Sequence, residues 1–274
     1  MRFRALLTLG GLLGVGVLMY GWVGMYHWFS SERVVFARSV LTRFSLPQVA
    51  LILAPEDPSL AYQVGNFYLG EKAHDLQKAE KYFKQAGWLG YPSPAYIYFG
   101  LSRVYFFEGR YNKAIEAINE TLRLDSSIPN SYYMRGLIYG YKGSLQESER
   151  DFARFLKLKP ESWAGANDLA WIYFRQGKFE EVKNVVKNAL GYNPDNPWLL
   201  NSLGVAFLNL GDKEGAKDAF EKSLSGFKAM TPVEWGKAYP GNDARYHAQG
   251  LSSTISAIEK NIRTLSYGGA EMVQ

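Results

Sequence analysis

Between Ala95 and Met230, large apolar and small residues return at a fixed interval of 34 positions. Gly109, Gly143, Gly177 and Gly211 mark the period. Four residues before each stands an aromatic: Tyr105, Tyr139, Tyr173 or Phe207. Seven before stands a small residue: Ser102, Gly136, Ala170 or Gly204. Ala114, Ser148, Val182 and Ala216 follow five after, and Ile118, Phe152, Val186 and Phe220 nine after. A repeat of this length with helical spacing on both sides of a glycine predicts two helices per unit. The glycine can take the left-handed conformation that ends the first helix. The small residues allow the two helices to approach, and the large apolar residue on the second fills the space between neighbouring hairpins. Leu158-Lys-Pro160 and Tyr192-Asn-Pro194 end second helices, because proline cannot continue the ladder.

This pattern resembles the tetratricopeptide repeat, from about Pro58 to Met230. The family's motif is matched most fully at 163–196, through Leu169, Ala170, Tyr173, Gly177, Phe179, Ala189 and Pro194. A looser unit at 58–94 carries Val64, Gly65, Tyr68, Ala79, Phe83 and Ala86, with a longer loop around His74. The resemblance implies an all-α, right-handed solenoid of about five helix-turn-helix repeats, at 58–94, 95–128, 129–162, 163–196 and 197–230. A stacked array must cover its last apolar face. After a loop at Thr231–Asn242, Leu251, Ile255, Ile258, Ile262 and Leu265 follow helical spacing, with Glu259, Lys260 and Arg263 opposite. Residues 231–265 thus read as a loop and capping helix, and 266–274 as a flexible tail.

The N-terminal region has a different pattern. Ala5 to Phe29 contains no charge. Its most apolar part, Ala5–Val23, would extend about 28 Å as a helix, close to a hydrocarbon core. Tyr20, Trp22, Tyr26 and Trp28 cluster at its far end, as an interfacial belt would. Residues 1–29 therefore read as a short cytoplasmic tail and a single transmembrane anchor, and 30–57 as a juxtamembrane bridge. The run Val49–Ala54 is expected to be buried. Asp57 and Pro58 read as the N-cap and first residue of a helix. The cationic tail favours a membrane protein whose repeat array lies outside the cytoplasm. Gly10, Gly14, Gly21 and Gly24 fall near one helical face and would permit a homodimer.

Charge supports the same division. The net charge is +5, and residues 1–54 hold five arginines against one glutamate. The remaining 220 residues are close to neutral. A nucleic-acid partner would require a basic face on the folded body, so none is expected. Cysteine is absent, and His27, His74 and His247 are far apart, so no metal or cofactor is expected. No nucleophile, phosphate-loop or paired-carboxylate motif appears in a suitable context, and the chain reads as non-enzymatic.

What remains is binding. In the tetratricopeptide family the first helices line a concave groove. Carrying its positions over residue by residue implies a partner-binding surface of Tyr62, Asn66, Tyr96, Phe99, Arg103, Tyr133, Asn167, Trp171, Arg175, Trp198 and Asn201. Phe106, Leu137 and Tyr141 belong to the same faces. Phe106 and Tyr141 are expected to pack between neighbouring first helices. The clamp of the co-chaperone branch cannot be assembled, because its positions include Tyr62, Gly100, Met134 and Asp168. The reading is an adaptor or scaffold that binds a protein segment in a cell-envelope assembly, secretion or surface-polymer complex. The alternatives are a cytoplasm-facing receptor for soluble proteins and a subunit presenting a glycan or lipid to an enzyme.

Overall fold

A computed structural model describes residues 32–70, 73–238 and 247–267. They form fourteen helices and no strand: α1 (residues 32–44), α2 (Pro47–Leu53), then five hairpins and two closing helices. The hairpins are α3–α4 (Pro58–Leu69, Leu76–Trp88), α5–α6 (Pro94–Phe107, Tyr111–Leu124) and α7–α8 (Pro129–Lys142, Leu145–Leu158). They continue with α9–α10 (Trp163–Arg175, Phe179–Leu190) and α11–α12 (Pro197–Asn209, Lys213–Lys228). α13 (Pro232–Lys237) and α14 (His247–Tyr267) follow.

The periodic glycines do what their spacing predicts. Gly109, Gly143, Gly177 and Gly211 have φ of +71°, +92°, +71° and +84°. The turn they permit lets the next residue's N–H reach back five residues. Arg110, Ser144, Lys178 and Asp212 donate to the carbonyls of Tyr105, Tyr139, Tyr173 and Phe207 at 2.8–2.9 Å. This satisfies a helix-end carbonyl that would otherwise lack a partner. The constant interval between aromatic and glycine is the length of this closure.

Within each hairpin the second helix inserts one large residue toward the first. Phe83, Ile118, Phe152 and Phe220 are fully buried, as is the smaller Val186. A methyl group built on Gly204 would lie 2.6 Å from the Phe220 ring, and one on Gly65 2.8 Å from Phe83. Phe83 also abuts Gly100, so one ring joins its own hairpin to the next. Buried hydroxyls add directional bonds: Ser148 Oγ donates to Gly136 O at 2.6 Å, and Ser223 Oγ to Pro197 O at 2.7 Å.

Both ends of the array are covered. At the start, Ala37, Val40 and Leu41 of α1 join the core of the first hairpin. The Arg38 guanidinium donates through Nε and Nη2 to Asp57 Oδ2 at 3.0 and 2.8 Å. The other Asp57 oxygen accepts from Ser59 N at 2.9 Å, capping α3. The apolar run Val49–Ala54 is only partly buried. Ala50 and Ala54 pack inward, while Val49 is exposed and Ile52 is 78% exposed. At the other end, Leu251 and Ile258 of α14 pack with Phe220 and Phe227 of α12. The segment after Thr231 is not all loop. Thr231 and Glu234 form a reciprocal capping box that starts α13 with Pro232 at its first turn.

The single-pass membrane localisation, with the array outside the cytoplasm, is corrected by the structure. Among the described residues no helix is long and apolar enough to cross a membrane. Even the 21-residue α14 carries Glu259, Lys260 and Arg263 beside its apolar stripe. Segment 5–29, to which the span was assigned, and Gly10, Gly14, Gly21 and Gly24 lie outside the described residues. So does the part of the tail from residue 268, whereas residues 266 and 267 end α14.

The close Gly–Phe approach gives a test. Gly204→Ala places a methyl group against a fully buried ring that has no room to withdraw. The change should destabilise the array by about 1–3 kcal/mol despite alanine's better helix propensity. A urea melt showing equal or greater stability would contradict this packing.

Candidate functional site

A cavity of about 1570 Å³ runs along the first helices, with walls from α5, α7, α9, α11 and α14. Of the residues expected in the groove, Phe99, Arg103, Tyr133, Asn167, Trp171, Trp198 and Asn201 line it. The structure does not place the other four on its wall. Tyr62 stacks on Tyr91 at 4.6 Å, and Asn66 Nδ2 returns to Tyr62 O at 3.2 Å. Tyr96 is 41% exposed. Arg175 donates to Gly140 O at 2.8 Å and lies 5.1 Å from the Trp171 ring centroid, so it ties α9 to α7.

The aromatic lining is partly scaffold. Phe106 meets Tyr141 edge-on at 5.2 Å, and Tyr141 meets Trp171 at 5.4 Å. These contacts join α5, α7 and α9, but neither Phe106 nor Tyr141, the two rings expected to be core, is fully buried. Tyr141 remains 57% exposed, so the ring series also presents a face. Trp198 stacks on Trp163 at 5.0 Å and meets Phe227 edge-on at 4.9 Å. Such pairing fixes the rings in place, leaving little side-chain freedom to lose when a partner binds.

The polar groups of the lining are unevenly satisfied. Asn167 Oδ1 accepts from Ser202 Oγ at 2.8 Å. Asn201 Oδ1 is buried without a hydrogen-bond partner. Arg103, half-buried, makes no hydrogen bond or ion pair with a described residue, and burial pushes its pKa down. Asp168 is buried and accepts from Tyr133 Oη at 2.6 Å. Burial pushes its carboxyl up to about 7, and the Tyr133 bond opposes this only in part. The groove therefore combines aromatic surface, amide groups, a guanidinium unpaired among the described residues and a carboxyl whose burial favours its neutral form.

Two contributions go beyond the repeat register. Asp168 was reached by register only as a mismatch to the co-chaperone clamp, whereas its burial depends on the neighbouring helix. α14 was expected only to cap the array. Its Thr254, Lys260, Asn261 and Thr264 also line the cavity, so the closing helix forms one wall of the groove.

Residues 133–181 match one tetratricopeptide repeat model, and residues 95–128 and 199–225 match another. The chain thus carries tetratricopeptide repeats in an all-helical solenoid. It is 37% identical to Protein FlbA of Caulobacter vibrioides over 88 residues, which are 32% of this chain and 14% of FlbA. It is 27% identical to the Photosystem I assembly protein Ycf3 of Prochlorococcus marinus over 144 residues, 50% of this chain and 83% of that protein. Among solved structures it resembles YrrB, described as a TPR protein with an unusual peptide-binding site. The TM-score is 0.52 at 17% identity, covering 67% of this chain and 93% of that one. This likeness concerns the fold.

Asp168 makes stability depend on pH in a defined direction. Its folded pKa of about 7 lies above the ordinary 3.8, so between those values the folded state binds more protons than the unfolded state. Its contribution to stability is fully present below about pH 4 and is lost as pH rises through about 7. Asp168→Asn keeps an acceptor for Tyr133 and removes the titration. Urea melts at pH 5 and pH 8 should differ less in the variant than in the parent, with the variant the more stable at pH 8. An unchanged difference would show that Asp168 does not govern it.

Proposed function

We propose that this chain is a non-catalytic adaptor that holds a segment of a partner protein in its concave groove during assembly of a multiprotein complex. The observation that carries this reading is the 1570 Å³ cavity along successive first helices, with fixed aromatic rings and unsatisfied polar groups on its wall. Large, rigid aromatic faces supply contact area at small entropic cost, while amide and guanidinium groups can orient a polypeptide backbone and its acidic side chains. YrrB's described peptide site and Ycf3's name as an assembly protein support the class of function, although neither identifies this chain's partner.

The carried-over residues that line the cavity are proposed as the contact surface. Phe99 and Trp171 are its main aromatic anchors, and Asn167 and Asn201 are its backbone-binding amides. Tyr62, Asn66, Tyr96 and Arg175 act at most at the margin, because they do not line the same cavity.

The combined Phe99→Ala and Trp171→Ala substitutions should reduce partner binding by about 100-fold, since interface aromatics commonly contribute 2 kcal/mol or more. Partners should be identified by cross-linking the full chain in its native host, then measured as purified proteins. A circular-dichroism melt would check that the variant remains folded. Undiminished binding by a folded double variant would overturn the groove assignment.

A further inference from the structure

Four arginines of the scaffold have polar partners. Arg38 holds Asp57, Arg110 holds Glu108, Arg135 holds Asp151, and Arg175 holds the Gly140 carbonyl. Arg103 differs from all four. It projects from α5 into the cavity, on the same helical face as Phe99 and Phe106, and is half-buried without a hydrogen bond or ion pair among the described residues. Of the titratable groups, only the Tyr62 phenol acts on it, and a neutral phenol does not compensate a cation.

A guanidinium withdrawn from water without a counter-charge costs stability. Its planar fork of donors matches a carboxylate in two parallel hydrogen bonds. The rest of the lining does not supply that carboxylate. The charged residues on the cavity wall are Arg103, Lys260 and Asp168. Asp168 is engaged by Tyr133 at 2.6 Å, and its burial favours the neutral form. The groove therefore offers a net positive field to whatever enters it. Farther along, Asn201 Oδ1 is buried without a donor.

We propose that Arg103 receives the side-chain carboxylate of an aspartate or glutamate inside an extended partner segment, while Asn201 Oδ1 accepts a backbone N–H of that segment. This inference rests on the groove reading and names the chemistry of its occupant. Phe99 and Phe106 lie one turn to either side of Arg103 along α5 and line the same cavity, an apolar setting in which an ion pair is stronger than in open solvent. A side-chain acid is favoured over a chain terminus because Arg103 presents one fork on α5, and the other cation of the cavity wall, Lys260, belongs to α14, which packs on α12.

The test is selection of a random twelve-residue library on the full chain. The peptides are displayed with linkers on both sides, so that no free terminus is present. The pool selected on the parent chain should be enriched in aspartate or glutamate at one position. Replacing that residue by glutamine or asparagine should weaken binding about tenfold or more, the usual size of a charge-assisted bond. On Arg103→Gln the acidic and amide peptides should bind alike. Arg103→Lys, which keeps the charge without the fork, should retain part of the difference and guards against a misfolded glutamine variant. An enriched pool without an acidic position would overturn this proposal and leave the groove reading standing. So would an acid preference that survives in folded Arg103→Gln. Failure to select any peptide on the parent chain would count against both.

Discussion

Everything in this chain depends on how closely two antiparallel helices can approach at one residue. Phe220 is fully buried because Gly204 opposite it has no side chain, and Phe83 occupies the corresponding space between Gly65 and Gly100. The same contact sets the separation within a hairpin and, through Phe83, between one hairpin and the next. Because every hairpin leaves one apolar face open, stability accumulates along the array and each end must be covered. α1 does this at the start, with Arg38 fastened to the Asp57 cap of α3. α14 does it at the end, with Leu251 and Ile258 against α12.

A fixed period makes much of this architecture legible in the residues. The interval from Tyr105 to Gly109, repeated three more times, states where a first helix ends and how its last carbonyl is satisfied. Asp57 and Pro58 likewise announce the start of α3. Local rules were less informative where two signals overlapped. Thr231-Pro-Val-Glu234 reads as loop from its proline and from Pro240 and Gly241 beyond it, yet the reciprocal cap between Thr231 and Glu234 starts a helix. The Val49–Ala54 run has the composition of a core segment, but a helix buries only one side, leaving Ile52 outside. The apolar content of segment 5–29 led to a localisation that the described helices do not support.

The groove was legible in part, for a related reason. Register along the repeat says which residues lie on the inner faces, and seven of the eleven carried-over positions line the cavity. Register does not say how a side chain will be used once it is there. Arg175 points inward by position, but Trp171 one turn earlier and the Gly140 carbonyl on the neighbouring helix engage it. Nor can a local pattern show that α14 meets the same cavity as α5. That meeting depends on the summed rotation of several hairpins, each contributing a small angle that no single residue specifies.

The polar groups that face the cavity bear most directly on a binding role for the groove. Away from it some buried polar groups are matched, since Asp151 receives two bonds from Arg135 and Ser148 and Ser223 close their hairpins, while Ser131 Oγ, Gln176 Oε1 and Trp235 Nε1 are buried without a partner among the described residues. Within it, among the described residues, one amide oxygen has no donor, one guanidinium has no carboxylate, and one carboxyl is buried with a tyrosine hydroxyl as its hydrogen-bond donor. Each arrangement is less favourable to folding than an apolar residue of similar size would be. Those on the concave wall stand among rings already held in place by neighbours, where an incoming segment can reach them. A bound segment carrying the complementary groups would remove the mismatch, so the features that weaken the isolated array are those that would strengthen its complex.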